Sequence, residues 1–94
     1  MAATHTPTSN PQIITVTGTS NNTIDLSKIA SGKDLVTIKW LSGTSIKFNT
    51  MGVAVAGSGG ISSTVTDLIL PIQEDDYLNC LGSAGGETFQ ITAI

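Results

Sequence analysis

A period of two, recurring in short runs, most constrains what this chain can fold into. In residues 35–40 Val36, Ile38 and Trp40 alternate with Thr37 and Lys39. Ile46 and Phe48 alternate with Ser45, Lys47 and Asn49, and Phe89, Ile91 and Ala93 alternate with Thr88, Gln90 and Thr92. Successive side chains of a strand point to opposite faces, so each run has one apolar and one polar side. The runs recur about every 8–12 residues with Gly, Asn and Ser between them, the spacing of a sandwich, jelly roll or small barrel.

Along the chain, "IITVTGTSNNTIDL" reads as two strands around Gly18–Asn22. "DLSKIASGKD" breaks the alternation and predicts a single helical turn, with Asp25 or Ser27 as cap and Gly32 as its stop. Residues 34–50 read as a hairpin reversing at Ser42–Gly43, with Trp40, Ile46 and Phe48 on a shared buried face and Lys39 and Lys47 on the wet one. "GVAVAGSGGISS" reads as a short strand and a Gly/Ser loop. "STVTDLILPI" is a strand with Thr66, Leu68, Leu70 and Ile72 on one face, and Pro71 places its end at a sheet edge or a strand exit. An acidic turn, "QEDD", leads to the strands "DYLNCLG" and "ETFQITAI", separated by "SAGG". "VTGTSNNT", "LSGTSIK" and "LGSAGGET" echo one another at the reversals, as repeated hairpin chemistry. The expected fold is all-β, a small antiparallel sandwich or jelly-roll-like barrel of about seven to eight short strands. At most one helical turn is expected, near residues 26–31. An extended N-terminal arm, residues 1–12, precedes a single β domain, residues 13–94.

The chain has 94 residues, enough for one domain. A body of this size buries only about 60–65 % of its unfolded surface, so oligomers or a large partner commonly supply further burial. Charged residues are 12 % of the chain, and Thr, Ser and Gly take their place. Such a surface packs against a neighbour at low desolvation cost, because charges are the expensive groups to bury. The net charge is −3, the basic residues are Lys28, Lys33, Lys39 and Lys47, and Arg is absent. That disfavours nucleic acid, whose binders carry basic stripes, and membrane surfaces as well. The leader "MAATHTPTSNPQ" has neither the charged nor the apolar region of a signal peptide. One cysteine, Cys80, allows no internal disulfide and reads as a small core residue. Synthesis in a reducing cytoplasm is expected.

No motif carries catalysis. "GSGG", residues 57–60, precedes a strand pattern rather than the helix a dinucleotide loop needs. "SGKD", residues 31–34, lacks both the earlier Gly and the following Ser/Thr of a P-loop, having Ser27 and Asp34 there. Glu74, Asp75 and Asp76, with Asp67 or Glu87, are the carboxylates considered for calcium. Adjacent carboxylates on a turn diverge, whereas calcium takes six to eight converging oxygens. His5 is the only histidine, so zinc ligation and a Ser-His-Asp triad fail for want of partners. "NNT", residues 21–23, reads as a turn rather than a glycan acceptor. A sugar platform needs exposed rings, and of Trp40, Phe48, Tyr77 and Phe89 only Tyr77 is expected to be partly exposed. No enzyme activity, cofactor or metal is therefore expected.

The polar leader, the Thr/Ser/Gly-rich β body and the C-terminal strand–turn–strand "LPIQEDDYLNCLGSAGGETFQITAI" together resemble small virion proteins of tailed bacteriophages, of the capsid decoration (cement) or minor head type. The resemblance covers most of the chain in style, without a diagnostic motif. It implies a structural protein on the virion surface that docks on the major capsid protein or a similar shell subunit, often as a trimer, through an N-terminal arm. The arm residues offered for docking are Thr4, His5, Thr6, Pro7, Thr8, Ser9, Asn10, Pro11 and Gln12. Their hydroxyls and amides can satisfy a partner's backbone without burying charge, and the fixed φ of the prolines lowers the entropy lost on ordering. A small carbohydrate-binding module of a virion or fibre is the alternative.

Divergent carboxylates at 74–76 predict that thermal melts with and without calcium coincide. A rise of several degrees, equivalent to roughly 1 kcal/mol or more, contradicts this.

Overall fold

The computed structural model describes residues 3–50, 60–63, 67–74 and 76–94. Its strands are β1 (Gln12–Thr15), β2 (Asn22–Asp25), β3 (Leu35–Ser42), β4 (Ser45–Asn49), β5 (Gly60–Ser62), β6 (Asp67–Pro71), β7 (Tyr77–Gly82) and β8 (Thr88–Ala93). They form two four-stranded sheets with the orders β1-β8-β3-β6 and β2-β7-β4-β5.

The pairing explains the order. β1 pairs with β8, β2 with β7, β3 with β6 and β4 with β5, all antiparallel. The chain is thus one long antiparallel ribbon, doubled back between β4 and β5. Rolling the ribbon up adds the pairs β3–β8 and β4–β7 and splits it into two sheets. That is the construction of a jelly roll, and the expected all-β sandwich is the observed fold. Only β4 and β5 are neighbours both in sequence and in a sheet.

Alternation supplies the core between the sheets. Ile14, Val36, Ile38, Phe89, Ile91 and Ala93 point in from one sheet, and Ile24, Ile46, Phe48, Ile61, Leu78 and Cys80 from the other. The two sheets meet in an edge-to-face contact between Phe48 and Phe89, with centroids 5.1 Å apart and planes at 87°. Such pairs add about 0.5–1.5 kcal/mol beyond area burial. Leu68, Leu70 and Ile72 pack against the same core from β6 and its exit, as their spacing predicts. Pro71 closes β6, an edge strand, where its missing N–H costs no ladder bond.

The segment after β2 makes the single expected turn. Ile29 and Ala30 N–H both donate to Leu26 O, the Ser27 N–H donates to Asp25 Oδ1 at 2.9 Å, and Gly32 ends the turn at φ 73°. The same Ser27 bonds hold the Asp25 carboxyl below its ordinary range.

Residues 34–50 do not form a hairpin. β3 and β4 lie in different sheets, and the link Gly43–Thr44 is a corner between them. Alternation reports which face of a strand is buried, not which strand lies beside it, so hairpin and corner read alike. Ile46 and Phe48 are buried as expected, but Trp40 is only partly buried, packed against the rim of the core. Gly60–Ser62, read as loop, is a strand. The strand and loop expected over 52–59, together with Thr66 and Asp75, lie outside the described residues.

Phe89 is fully buried at the meeting of the sheets. Phe89→Ala is expected to cost about 3–5 kcal/mol in urea denaturation. A loss under about 1 kcal/mol would mean that the sheets do not meet through this ring.

Candidate functional site

The outer faces of the two sheets differ. On β1-β8-β3-β6 the register places Ile13, Gln90, Lys39 and Asp67 in one row, Thr92, Thr37 and Ile69 in the next, and Leu35 beside Pro71 in a third. Thr15, Thr88 and Ser42 complete one end. Ile94 adjoins Leu35 through reciprocal backbone bonds. Among the described residues, the exposed large apolar side chains are Ile13 (60 %), Leu35, Leu41, Ile69 (61 %) and Ile94, all on this sheet or at its end. The outward positions of these strands carry two charges, Lys39 and Asp67, which are direct cross-strand partners and cancel. The result is an outer face largely of Ile, Leu and Thr side chains whose two charges balance.

The described outward positions of the other sheet are mainly polar, Thr23, Asp25, Lys47, Asn49 and Asn79, with Tyr77 and Leu81 among them. Thr23 Oγ1 donates to Asn79 Oδ1 at 3.0 Å, and Asn21 Nδ2 donates to the same oxygen at 3.0 Å. Thr23 and Asn79 are buried although they point away from the core. Asn22, on the inner side of β2, is fully used: Nδ2 donates to Thr17 O and Ser20 O, and Oδ1 accepts from Thr17 N–H. These bonds pin the loop from β1 to β2.

The N-terminal segment runs along this second sheet and does not project from the body. Thr4 and His5 N–H donate to Thr23 O at 2.8 and 3.2 Å, and Asp25 N–H donates to His5 O at 2.9 Å. His5 thereby bridges Ile24 in parallel, at the free edge of β2. Thr4 Oγ1 both donates to Thr23 O and accepts from Thr23 N–H. His5 Nε2 lies 2.9 Å from Asn22 Oδ1, an acceptor, so Nε2 carries the proton. Pro7 is buried, while Thr6, Thr8, Ser9, Asn10 and Pro11 are exposed. Gln12 is the first residue of β1, and its Oε1 gathers Thr8 N–H, Ser9 N–H and the Ser9 hydroxyl. Asn10 continues the β1–β8 ladder with its side chain, donating to Ala93 O at 3.0 Å and accepting from Ala93 N–H at 2.8 Å. The residues singled out for docking are thus distributed along one strap, fixed at β2 and at β8.

The three sequence echoes meet at one end of the sandwich, around Glu87. They are the crossings β1→β2, β3→β4 and β7→β8, each carrying the chain between sheets. Glu87 is 1 % exposed. Its Oε2 accepts from Ala84 N–H at 2.8 Å and from the Ser83 hydroxyl at 3.0 Å. Its backbone O accepts from Val16 N–H, and Ser83 N–H donates to Ser45 O. Burial pushes the Glu87 carboxyl up, but the amides of Ala84, Glu87 and Gly85 and the Ser83 hydroxyl outweigh it and hold the group below its ordinary value. Nothing at the residue level singled Glu87 out as structural. The available signal was its place after the glycine pair of the third echo.

The other candidates fall into place as single residues. Cys80 is buried in the core, where burial, helped by the Glu87 charge, pushes its thiol up to about 12. Trp40 and Tyr77 belong to different sheets and share no platform. Among the described residues no three of His, Cys, Asp and Glu gather, with Glu87 turned into the crossings and Glu74 and Asp76 on the turn after β6.

Because the folded-state pKa of Glu87 lies below its ordinary 4.5, its stabilisation is complete above that value and is lost as pH falls through the folded value. Glu87→Gln is expected to cost about 1–3 kcal/mol at pH 7. It should also flatten the acid side of a stability–pH curve measured by urea melts. Parallel curves for the two chains would contradict this.

No family model matches the chain, and no curated protein or solved structure matches it either.

Proposed function

We propose that the chain is a non-catalytic structural protein that docks on and stabilises a large protein shell, as a decoration (cement) protein on the capsid of a tailed bacteriophage. Its partner in this reading is the major capsid protein or a similar shell subunit, and its place is the virion surface. The observation that carries the reading is the outer face of β1-β8-β3-β6, uncharged on balance and holding, among the described residues, the exposed large apolar side chains. Exposed apolar side chains concentrated on one face are a common mark of interaction surfaces. A broad face suits a protein wall, whereas a small ligand needs a concave site with convergent polar groups. The two exposure-prone rings, Trp40 and Tyr77, lie on separate sheets, so they lend no support to a carbohydrate-binding module.

Magnitudes favour repetition. Four strands about 4.8 Å apart and about five residues long give a footprint of roughly 300 Å². Stable interfaces bury about 800 Å² per partner. One copy would therefore hold weakly, and linked copies gain by raising the effective concentration of the next contact. A homo-oligomer, with a trimer first, fits this need.

The test is decoration of native phage heads, read by electron microscopy. The wild-type chain should bind. Ile13→Lys with Ile69→Lys should weaken binding at least about tenfold, because charged groups left unpaired in an interface cost more than the 1–3 kcal/mol of a neutral group. The melt should move by no more than about 0.5 kcal/mol, since both positions are surface ones. Undiminished binding by the double variant would contradict the reading.

A further inference from the structure

β2 is an edge strand, and an edge strand presents a row of backbone donors and acceptors open to another chain. Here the row is occupied by the chain's own residues 4 and 5, whose amides and carbonyl bond Thr23 and Asp25. Thr4 Oγ1 and the His5 ring add side-chain contacts to Thr23 and Asn22. This is strand addition, in which backbone bonds supply affinity and side-chain contacts supply selectivity. The strap contributes no member of the apolar core, which begins at Ile14. The hydrogen bonds that seat it on β2 are polar and repeatable by an identical segment.

The link is equally specific. The strap is fixed at its far end by Asn10 on Ala93, so the hinge between the two anchorages is residues 6–9. Thr8 and Ser9 are exposed and bond only within the hinge region, to Gln12 and Pro11. A strap with a polar seat and a separate anchor, joined by a hinge exposed at Thr6, Thr8 and Ser9 with Pro7 buried between them, can re-form its bonds to β2 on a second body. That is the condition for segment swapping between identical chains.

We propose that the β2 edge is an exchangeable strand-acceptor site, and that the partner it fits is residues 3–5 of a second copy of this chain. Within one chain a short hinge holds the strap at an effective concentration of order millimolar. Copies packed side by side reach comparable concentrations, and the strap then joins neighbours. The site is separate from the outer face of β1-β8-β3-β6 and stands whether or not that face binds a shell.

The experiment shortens the hinge in the full chain by deleting Thr8 and Ser9. That removes up to about 7 Å of reach between the seat on β2 and the anchor at Ala93, which disfavours seating within one chain and leaves seating on a neighbour unaffected. The expected result is a concentration-dependent dimer or larger assembly by sedimentation, with the Asp25 amide protected from hydrogen exchange in the assembly. Adding His5→Pro, which removes the amide that bonds Thr23 O, should return the shortened chain to monomer. A folded shortened chain that stays monomeric at every concentration with its Asp25 amide unprotected overturns the proposal. If the deletion unfolds the body, or leaves a monomer with Asp25 protected, the wild-type chain decides. In an equal mixture of isotope-labelled and unlabelled copies at high concentration, a contact between His5 of one copy and Ile24 of another supports the proposal, and its absence overturns it.

Discussion

The carboxylate of Glu87 sits where the chain crosses between its sheets three times. A jelly roll needs such crossings, because rolling a ribbon leaves successive strands in opposite layers. Each crossing must turn sharply and leave its backbone groups satisfied, since buried unpaired amides are expensive. Glu87 accepts from Ser83 and Ala84, while its backbone ties the third crossing to Val16 in the first. Ser83 ties it to Ser45, just past the second. The glycines follow from this crowding. A Cβ on Gly43, whose φ is 107°, would lie 2.4 Å from Glu87 Cγ, and one on Gly82 would lie 2.4 Å from Oε1. The Gly- and Ser-rich echoes are what three crossing segments of the chain need to approach one buried anion.

Closing one end in this way leaves two unlike outer faces. The β2 side spends its polar groups internally, on the Thr23–Asn79–Asn21 cluster, on Asn22 and on the strap. The β1-β8-β3-β6 side carries its apolar side chains outward, with the Lys39–Asp67 pair as its charges. Ordinary soluble domains are about 25 % charged, and the 12 % here leaves large areas that desolvate cheaply. Among the described residues the exposed large apolar side chains thus gather on one sheet or at its end.

Much of the fold was legible in the sequence because alternation depends on burial alone. Ile38, Phe48, Phe89 and Ile91 announce their inward direction by position, as do Pro71 its edge and Gly32 the end of the helical turn. Which strands pair was not legible. The period of two in Val36–Trp40 and Ile46–Phe48 is the same for a hairpin and for two strands facing across a core. Outward apolar residues were equally hidden. Ile13 is followed by the buried Ile14, and Ile69 stands between Leu68 and Leu70, so each reads as part of a continuous apolar run until register assigns its face. The arm's destination was invisible for a different reason. Its contacts are backbone bonds and small polar side chains, which carry no pattern that names a partner.

The central claim concerns which side of the sandwich meets a shell, and the orientation of the chain on a native particle tests it most directly. A reconstruction that resolves strands should place the outer face of β1-β8-β3-β6 against shell subunits, with Ile13 and Ile69 at the contact. The strap-bearing β2 side should face solvent or a neighbouring copy. A particle on which the chain meets the shell through the β2-β7-β4-β5 face, or on which it is absent, would contradict the account.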